Sequence, residues 1–240
     1  MAGKTGSKHD IINGYVSFVN FLGAFLGENC EVVLHDTNNK EKSVLAIAND
    51  HISGRRIGAP LTDLALKFVI NKVYEKQDWV MGYTTQSRDG RVLHSATYFI
   101  KDGNGELVGM ICMNMDTSDI LAARDIMNRF ISSAGFEKTQ KKELFATSDP
   151  VAETDDSEPV EHFETFPHSM EDLTDSLISK VVEDTKILPE RMTSDEKLAV
   201  VATLNDHGVF MLKGTIRVVA KHLAVSEATL YRYLQKINVK

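Results

Sequence analysis

The stretch from residue 216 to 235, IRVVAKHLAVSEATLYRYLQ, leaves a chain few options. Val219, Leu223, Val225, Leu230 and Tyr233 recur at a spacing that turns them toward one shared core only if two short helices meet at an angle. Ala220 is small enough to let those helices touch, and Ser226 stands where a second helix needs an oxygen to cap its free N–H groups. With the apolar residues facing inward, Glu227, Ala228, Tyr231, Arg232 and Gln235 must face outward. That is the layout of a helix-turn-helix, whose second helix enters the major groove of DNA. Arg232 can then donate two hydrogen bonds to a guanine edge, Glu227 can accept from cytosine N4, and Ala228 can touch a thymine methyl. Thr229, Lys213, Arg217, Lys221 and Lys236 suit phosphates, which position a protein without specifying sequence. An ordinary helical hairpin mimics part of this pattern. Its best support is Ala224, which occupies the turn position usually given to Gly and would cost roughly 1 kcal/mol in a left-handed conformation.

The charge distribution agrees with the DNA reading. Residues 213–240 carry 6 Lys and Arg against 1 acidic residue, whereas residues 137–212 carry 7 against 18. The chain as a whole has a formal net charge of −7. Because phosphate contacts are local and screened beyond roughly 8 Å at physiological salt, a basic tail binds DNA even on an acidic protein. A length of 240 residues exceeds one comfortable core. We therefore expect a sensor-type domain over 1–136, an acidic linker over 137–170 with Pro150, Pro159 and Pro167, and a helix-turn-helix domain over 171–240.

Within the first part the hydrophobic period changes. Ile12, Tyr15, Val16, Val19, Leu22, Phe25 and Leu26 recur at helical spacing and predict an amphipathic first helix. Lysines upstream raise the possibility of a signal peptide, but no A-x-A cleavage pattern follows, and the apolar stretch is too short to span a membrane. Five short strands are predicted near 31–36, 44–49, 80–87, 91–100 and 107–115, with turns at Asp89-Gly90 and Asp102-Gly103-Asn104-Gly105. A helix capped by Thr62 follows the second strand, and a helix over 118–131 is expected to cover the unit. The fold class is α+β: a PAS-like five-stranded antiparallel sheet with helices, then an all-α helix-turn-helix domain. Farther on, Leu173, Leu177, Ile178, Val181 and Val182 predict a helix over 171–187, and Thr193-Ser194-Asp195-Glu196 reads as a capping box for another, stopped at Gly208.

Enzymatic readings find little to stand on. His35, Asp36, Asp50, His51, His94 and Ser95 offer triad or metal chemistry, but no pair has ligand spacing on one face and no serine sits in a nucleophile turn. Gly103, Gly105 and Gly109 miss the dinucleotide fingerprint and precede a strand. Cys30 and Cys112 lie in apolar runs and read as core fillers in a reducing, cytoplasmic setting. No cofactor or metal is expected. A loop over 49–63 holds Asn49, His51, Ser53, Arg55, Arg56, Thr62 and Asp63 without obvious core duty, which makes it a candidate small-molecule site. Arg55 or Arg56 suits a carboxylate or phosphate, and Asp63 an amine. The alternative is a loop held in shape by its own hydrogen bonds.

Five segments carry a resemblance. NCEVVLHD (29–36), AIANDHISGRRIGAPLTDLAL (46–66), GELVGMICMNMD (105–116) and MTSDEKLAVVATLNDHGVFMLKG (192–214), together with the helix-turn-helix, are similar to the YheO-like transcriptional regulators. The signature S-G-R-x-x-G-x-P-x-T-D at 53–63 is the most specific part, and the likeness covers nearly everything outside 1–10 and 137–170. It implies a YheO-type PAS domain and a role in transcription, and it names no effector. The function expected is a homodimeric DNA-binding repressor or activator whose PAS-like domain senses a small molecule, an amino acid or related metabolite, or mediates dimerisation. The alternatives are a sensory adaptor that does not bind DNA and an enzyme acting through the first domain.

Overall fold

The computed structural model describes residues 7–87, 89–133 and 166–238. Most of the acidic linker expected over 137–170 lies outside them. The chain opens with α1 (Lys8–Asn13) and α2 (Val16–Leu26), where one helix was expected. Ser7 and Asp10 form a capping box that starts α1, and the helix ends at Gly14. Strands β1 (Cys30–Asp36) and β2 (Val44–Ala48) lead to α3 (Asp63–Ile70). Then come β3 (Trp79–Gln86), β4 (Val92–Lys101) and β5 (Leu107–Asp116), each within two residues of its expected limits. All pairings are antiparallel, in the order β2-β1-β5-β4-β3.

Alternation along the strands divides the sheet into two unlike faces. Val32 and Leu34 of β1 and Ile111 of β5 pack under Ile12 and Val19 of the first two helices. The approach is close enough to require glycine twice. A Cβ on Gly109 would meet Ile12 Cδ1 at 2.4 Å and the His35 carbonyl at 2.6 Å, and one on Gly23 would meet Ala48 Cβ at 2.2 Å. Phe25, expected on the buried side of this helix, is 75% exposed, because the helix break after Asn13 changes which face of α2 meets the sheet.

The opposite face lies under α3 and the loop preceding it. Phe68 packs edge-on against Phe99 and Tyr83, with ring centroids 5.8 and 6.0 Å apart. The expectation that the helix over 118–131 covers the unit is overturned. That helix, α4 (Ser118–Ser133), contributes no buried residue among its described side chains, because α3 and the 49–63 loop already fill the face.

The C-terminal part comprises α5 (Met170–Asp184), α6 (Ser194–Asp206), α7 (Thr215–His222) and α8 (Glu227–Asn238). Ser169 caps α5, and the capping box of Thr193 and Glu196 starts α6. One apolar core runs from the sheet through α3 into these helices, joining Val33, Phe99 and Leu66 to Leu173, Leu204 and Leu230. At the junction Gly208 has φ +73 and faces Ile70, while the backbone N–H of Lys213 donates to Glu41 Oε1 at 3.3 Å. Among the described residues no helix is long and apolar enough to cross a membrane.

Candidate nucleic-acid interface

The turn between α7 and α8 forms at Ala224, with φ +50, the left-handed conformation the sequence implied. The N–H of Val225 returns to the Ala220 carbonyl at 2.9 Å, and Ser226 Oγ accepts from the N–H of Thr229 at 3.2 Å. Val219, Ala220, Leu223, Leu230 and Tyr233 are buried, whereas Val225 is half-buried. Glu227, Ala228, Tyr231, Arg232, Gln235 and Lys236 are exposed, and Thr229 is half-buried. Arg232 leans back along its own helix, donating from Nη2 to Thr229 Oγ1 at 3.1 Å. That bond holds the guanidinium over the outward face of α8, with its remaining donors available.

Lys213, Arg217 and Lys221 recur every four residues along one exposed side of α7 and its approach. Together with His222 they line a cleft of about 470 Å³, closed on its far side by Thr174 and Asp175 of α5. His222 Nε2 lies 3.2 Å from Asp175 Oδ1, tying α7 to α5. The three cations of the row take part in no ion pair among the described residues, so they keep their charge for solvent or phosphate. The His222–Asp175 contact left no trace in the sequence, because it joins residues 47 positions apart.

The candidate ligand residues of the 49–63 loop separate into three groups. Asn49 and Thr62 hold backbone. Asn49, at φ +59, donates through Nδ2 to the carbonyls of Gly27 and Cys30 at 2.8 and 2.7 Å, and Thr62 caps α3 through Ala65 N–H, with Asp63 buried in the first turn. His51 and Arg56 face solvent, Arg56 at 3.6 Å from Asp50. Ser53 and Arg55 turn inward onto the sheet and are 3% and 1% exposed.

There they join Ser95, considered above only for triad or metal chemistry, and polar residues that the sequence did not single out. Ser53 donates from Oγ to Glu31 Oε2 at 2.5 Å, Asn114 Nδ2 donates to Glu31 Oε1 at 2.9 Å, and Ser95 Oγ donates to Asn114 Oδ1 at 2.8 Å. Thr85 continues the chain at 2.8 Å from Ser95, and Tyr83 pairs with Thr97 at 2.8 Å. Burial pushes the Glu31 carboxyl above its ordinary range, against the opposing pull of Ser53, Asn114 and the nearby Arg55 charge.

His35 is completely buried, and its protonation follows from its neighbours. The Ser43 hydroxyl donates to the Asp36 carbonyl, so it accepts from His35 Nδ1 at 3.0 Å, which leaves Nε2 as an acceptor facing Arg55 Nη1 at 3.5 Å. Arg55 also donates to the Pro60 carbonyl. This arrangement needs a neutral imidazole, and burial together with the Arg55 charge holds the His35 pKa well below the ordinary value. The signal missed in the sequence was the alternation itself. Glu31, Val33 and His35 share one face of β1, just as Cys112 and Asn114 share one face of β5. Among the described residues no three His, Cys, Asp or Glu side chains gather as metal ligands would.

Residues 6–132 match the family model of the YheO-like PAS domain, more than half of the chain. The chain belongs to the YheO-like PAS family. Residues 173–235 match an HTH domain. The Escherichia coli protein YheO is 27% identical over 95% of this chain and 85% of its own length. An uncharacterized protein of Haemophilus influenzae is 28% identical over 98% and 94%. The Pseudomonas aeruginosa transcriptional regulator DauR is 21% identical over 97% of both chains. Among solved structures, a phage VqmA-DPO complex aligns over 96% of this YheO-like chain and 90% of its own, with 14% identity and a TM-score of 0.35, too loose to bear on ligand or assembly. The combination of a YheO-like PAS domain with a helix-turn-helix is that of a transcriptional regulator.

Proposed function

We propose that this YheO-like protein is a cytoplasmic, ligand-modulated transcriptional regulator that reads double-stranded DNA with α8. The observation that carries the reading is the helix itself: serine-capped, buried along Leu230 and Tyr233, and presenting Glu227, Ala228, Tyr231, Arg232 and Gln235 to solvent. Base edges are met by that row, while Arg217, Lys221 and Lys236, joined by Ser226 and Thr229 at the helix start, take phosphates. The work divides among a sensor over 1–136, a linker over 137–170 and a reader over 171–240. Two such readers on a homodimer lie one DNA turn apart on a palindromic site.

The effector is a small polar metabolite, an amino acid or a relative of one, held at the inner sheet face. Glu31 and Arg55 are now bonded within one buried network, and parting of the 49–63 loop from the sheet would offer Glu31 to an ammonium group and Arg55 to a carboxylate. Binding there acts on the reader through the core that α3 shares with α5 and α6.

Selection of bound fragments from genomic DNA, followed by mobility shifts at low and high salt, tests the DNA reading. A defined palindrome whose affinity falls steeply with salt supports it. Failure to retain any fragment at low salt would leave the sensory adaptor as the better account.

A further inference from the structure

The residues just ahead of α5 are seated on the sheet domain. Phe166 is 8% exposed and forms a small apolar cluster with Ile52 and Leu93, separate from the core that joins the sheet to the helices. Two residues on, the His168 ring lies over Gly54, where a Cβ would meet its Cε1 at 3.3 Å. Pro167, buried between them, fixes the backbone, so a pull at one end is not lost as slack at the other. Ser169 then caps α5: its Oγ accepts from the N–H of Asp172 and its carbonyl from the N–H of Leu173, both at 3.1 Å. We infer that residues 166–169 are a strap through which the 49–63 loop controls the start of α5. The loop seated on the sheet holds the strap down, and the loop parted from the sheet releases it. This rests on the proposed effector site and states how occupancy of that site is passed on.

The S-G-R of residues 53–55 ties the two movements together. Ser53 donates to Glu31 beneath it, and Arg55 donates to the Pro60 carbonyl and faces His35. Gly54 stands between them at φ +74, so its neighbours reach the sheet while its own Cβ position faces His168. A side chain there would meet both a left-handed backbone and the imidazole ring, so glycine serves twice. Ile52 completes the link, clustered with Phe166 and Leu93, its carbonyl accepting from Arg91 Nη2 at 3.3 Å. Residues 52–55 are adjacent in the chain, so Ser53 and Arg55 cannot rise from the sheet while Ile52 and Gly54 stay in place. An effector that takes the bonds of Glu31 and Arg55 for itself withdraws the seat of Phe166 and His168 as well.

The seat is able to open by itself. The core shared by α3, α5 and α6 is extended and close-packed, and a partial opening there would disturb the whole of it. The cluster of Ile52, Leu93 and Phe166 is a satellite beside the loop, the kind of small unit that opens locally while the rest of a fold stays closed. The strap thus gives the loop a route to α5 alongside that shared core. By linkage the coupling runs both ways: whatever weakens the seat of Phe166 favours the parted loop, to the same degree that parting the loop weakens the seat.

The test reads backbone hydrogen exchange in the full chain with neither effector nor DNA, so its outcome does not depend on whether an effector binds. Phe166→Ala should speed exchange about tenfold at the N–H groups of Ser53, Gly54 and Arg55, which are bonded to Glu31, Asp50 and Ser53, and leave the ladder between β1 and β5 unchanged. From the other side Ile52→Ala, a change in the loop, should speed exchange at Asp172 and Leu173 of α5. Phe166→Leu, which keeps part of the contact, should give a smaller rise at the same loop positions, and this separates a weakened seat from general unfolding. On a DNA fragment that the wild type retains, Phe166→Ala should change affinity by about fivefold or more. Faster exchange confined to the side of the substitution overturns the strap, and so does coupled exchange with unchanged DNA affinity. If the wild type retains no fragment, the regulator reading falls and the exchange result alone decides the strap.

Discussion

The sheet domain and the terminal helix pair use polar residues in opposite ways. On the inner sheet face Glu31, Ser53, Ser95, Thr85 and Asn114 are all at most 4% exposed and bonded to one another. On α8 the polar residues stand in water and the apolar ones hold the fold. Buried polar groups stabilise only as a complete set, because a lost partner strands the others away from solvent. Exposed ones can change with little effect on folding. Variants in the first region should therefore be read out in stability and those in the second in binding.

The largest effect that would break this contrast belongs to Glu31. Glu31→Ala leaves the Ser53 hydroxyl and the Asn114 amide without their acceptor in a dry site, and should cost about 3–5 kcal/mol in urea denaturation. Loss of less than about 1 kcal/mol would mean that water reaches the network and that the two regions are alike.

Next in size is Arg232→Ala. It should cost about 1–3 kcal/mol on a cognate operator and relax one base position, with the urea midpoint changed little. Retained affinity and an unchanged footprint would remove α8 from the groove. Equal losses of stability and binding would show that the region serves the core.

His35 sharpens the comparison through pH. Its folded-state pKa lies well below the ordinary value near 6.5, so as pH falls through ~6.5 the unfolded chain takes up a proton that the folded chain refuses, and stability is lost. Glu31, raised by burial, acts in the other direction, because the folded chain keeps its carboxyl proton to higher pH and stability declines as pH rises through the folded value. Between pH 7 and 5.5 His35→Gln should flatten the fall in stability by up to about 1.4 kcal/mol per pH unit. It should not abolish the fall. His207 stays, depressed by burial and by Lys67 and Lys180. A slope identical to wild type would show that the imidazole takes its proton while folded.

What the sequence revealed follows the same division. The strands, the Thr62 and Ser226 caps and the outward row of α8 were legible because each depends on spacing within one short segment. The inner network was not, since Glu31 and Asn114 lie 83 positions apart and only the register of β1 on β5 brings them together. Dense polar residues make the 49–63 loop a candidate small-molecule site in the sequence, with a loop held in shape by its own hydrogen bonds as the alternative. Burial of Arg55 at 1% exposure depends on His35 and Pro60, which local composition does not reveal. The covering role expected of α4 failed for a related reason. Amphipathic spacing says that a face will be buried, not against what.

The smallest effect concerns the turn that joins α7 and α8. Ala224 holds φ +50 although its Cβ disfavours that region, and the strain is tolerated because Leu223 and Val225, on either side, are anchored in the core and the Val225 N–H bonds to Ala220. Ala224→Gly relieves the strain but also loosens the unfolded chain, so the net gain should stay at or below about 1 kcal/mol, a rise of a few degrees in Tm. Binding should not move with it, because a turn residue behind Ser226 alters neither the exposed row of α8 nor the basic side of α7. A gain in stability accompanied by a change in operator affinity would mean that the angle between α7 and α8 is set by that strain, and the separation between a region that holds the fold and a region that reads DNA would then fail at its hinge.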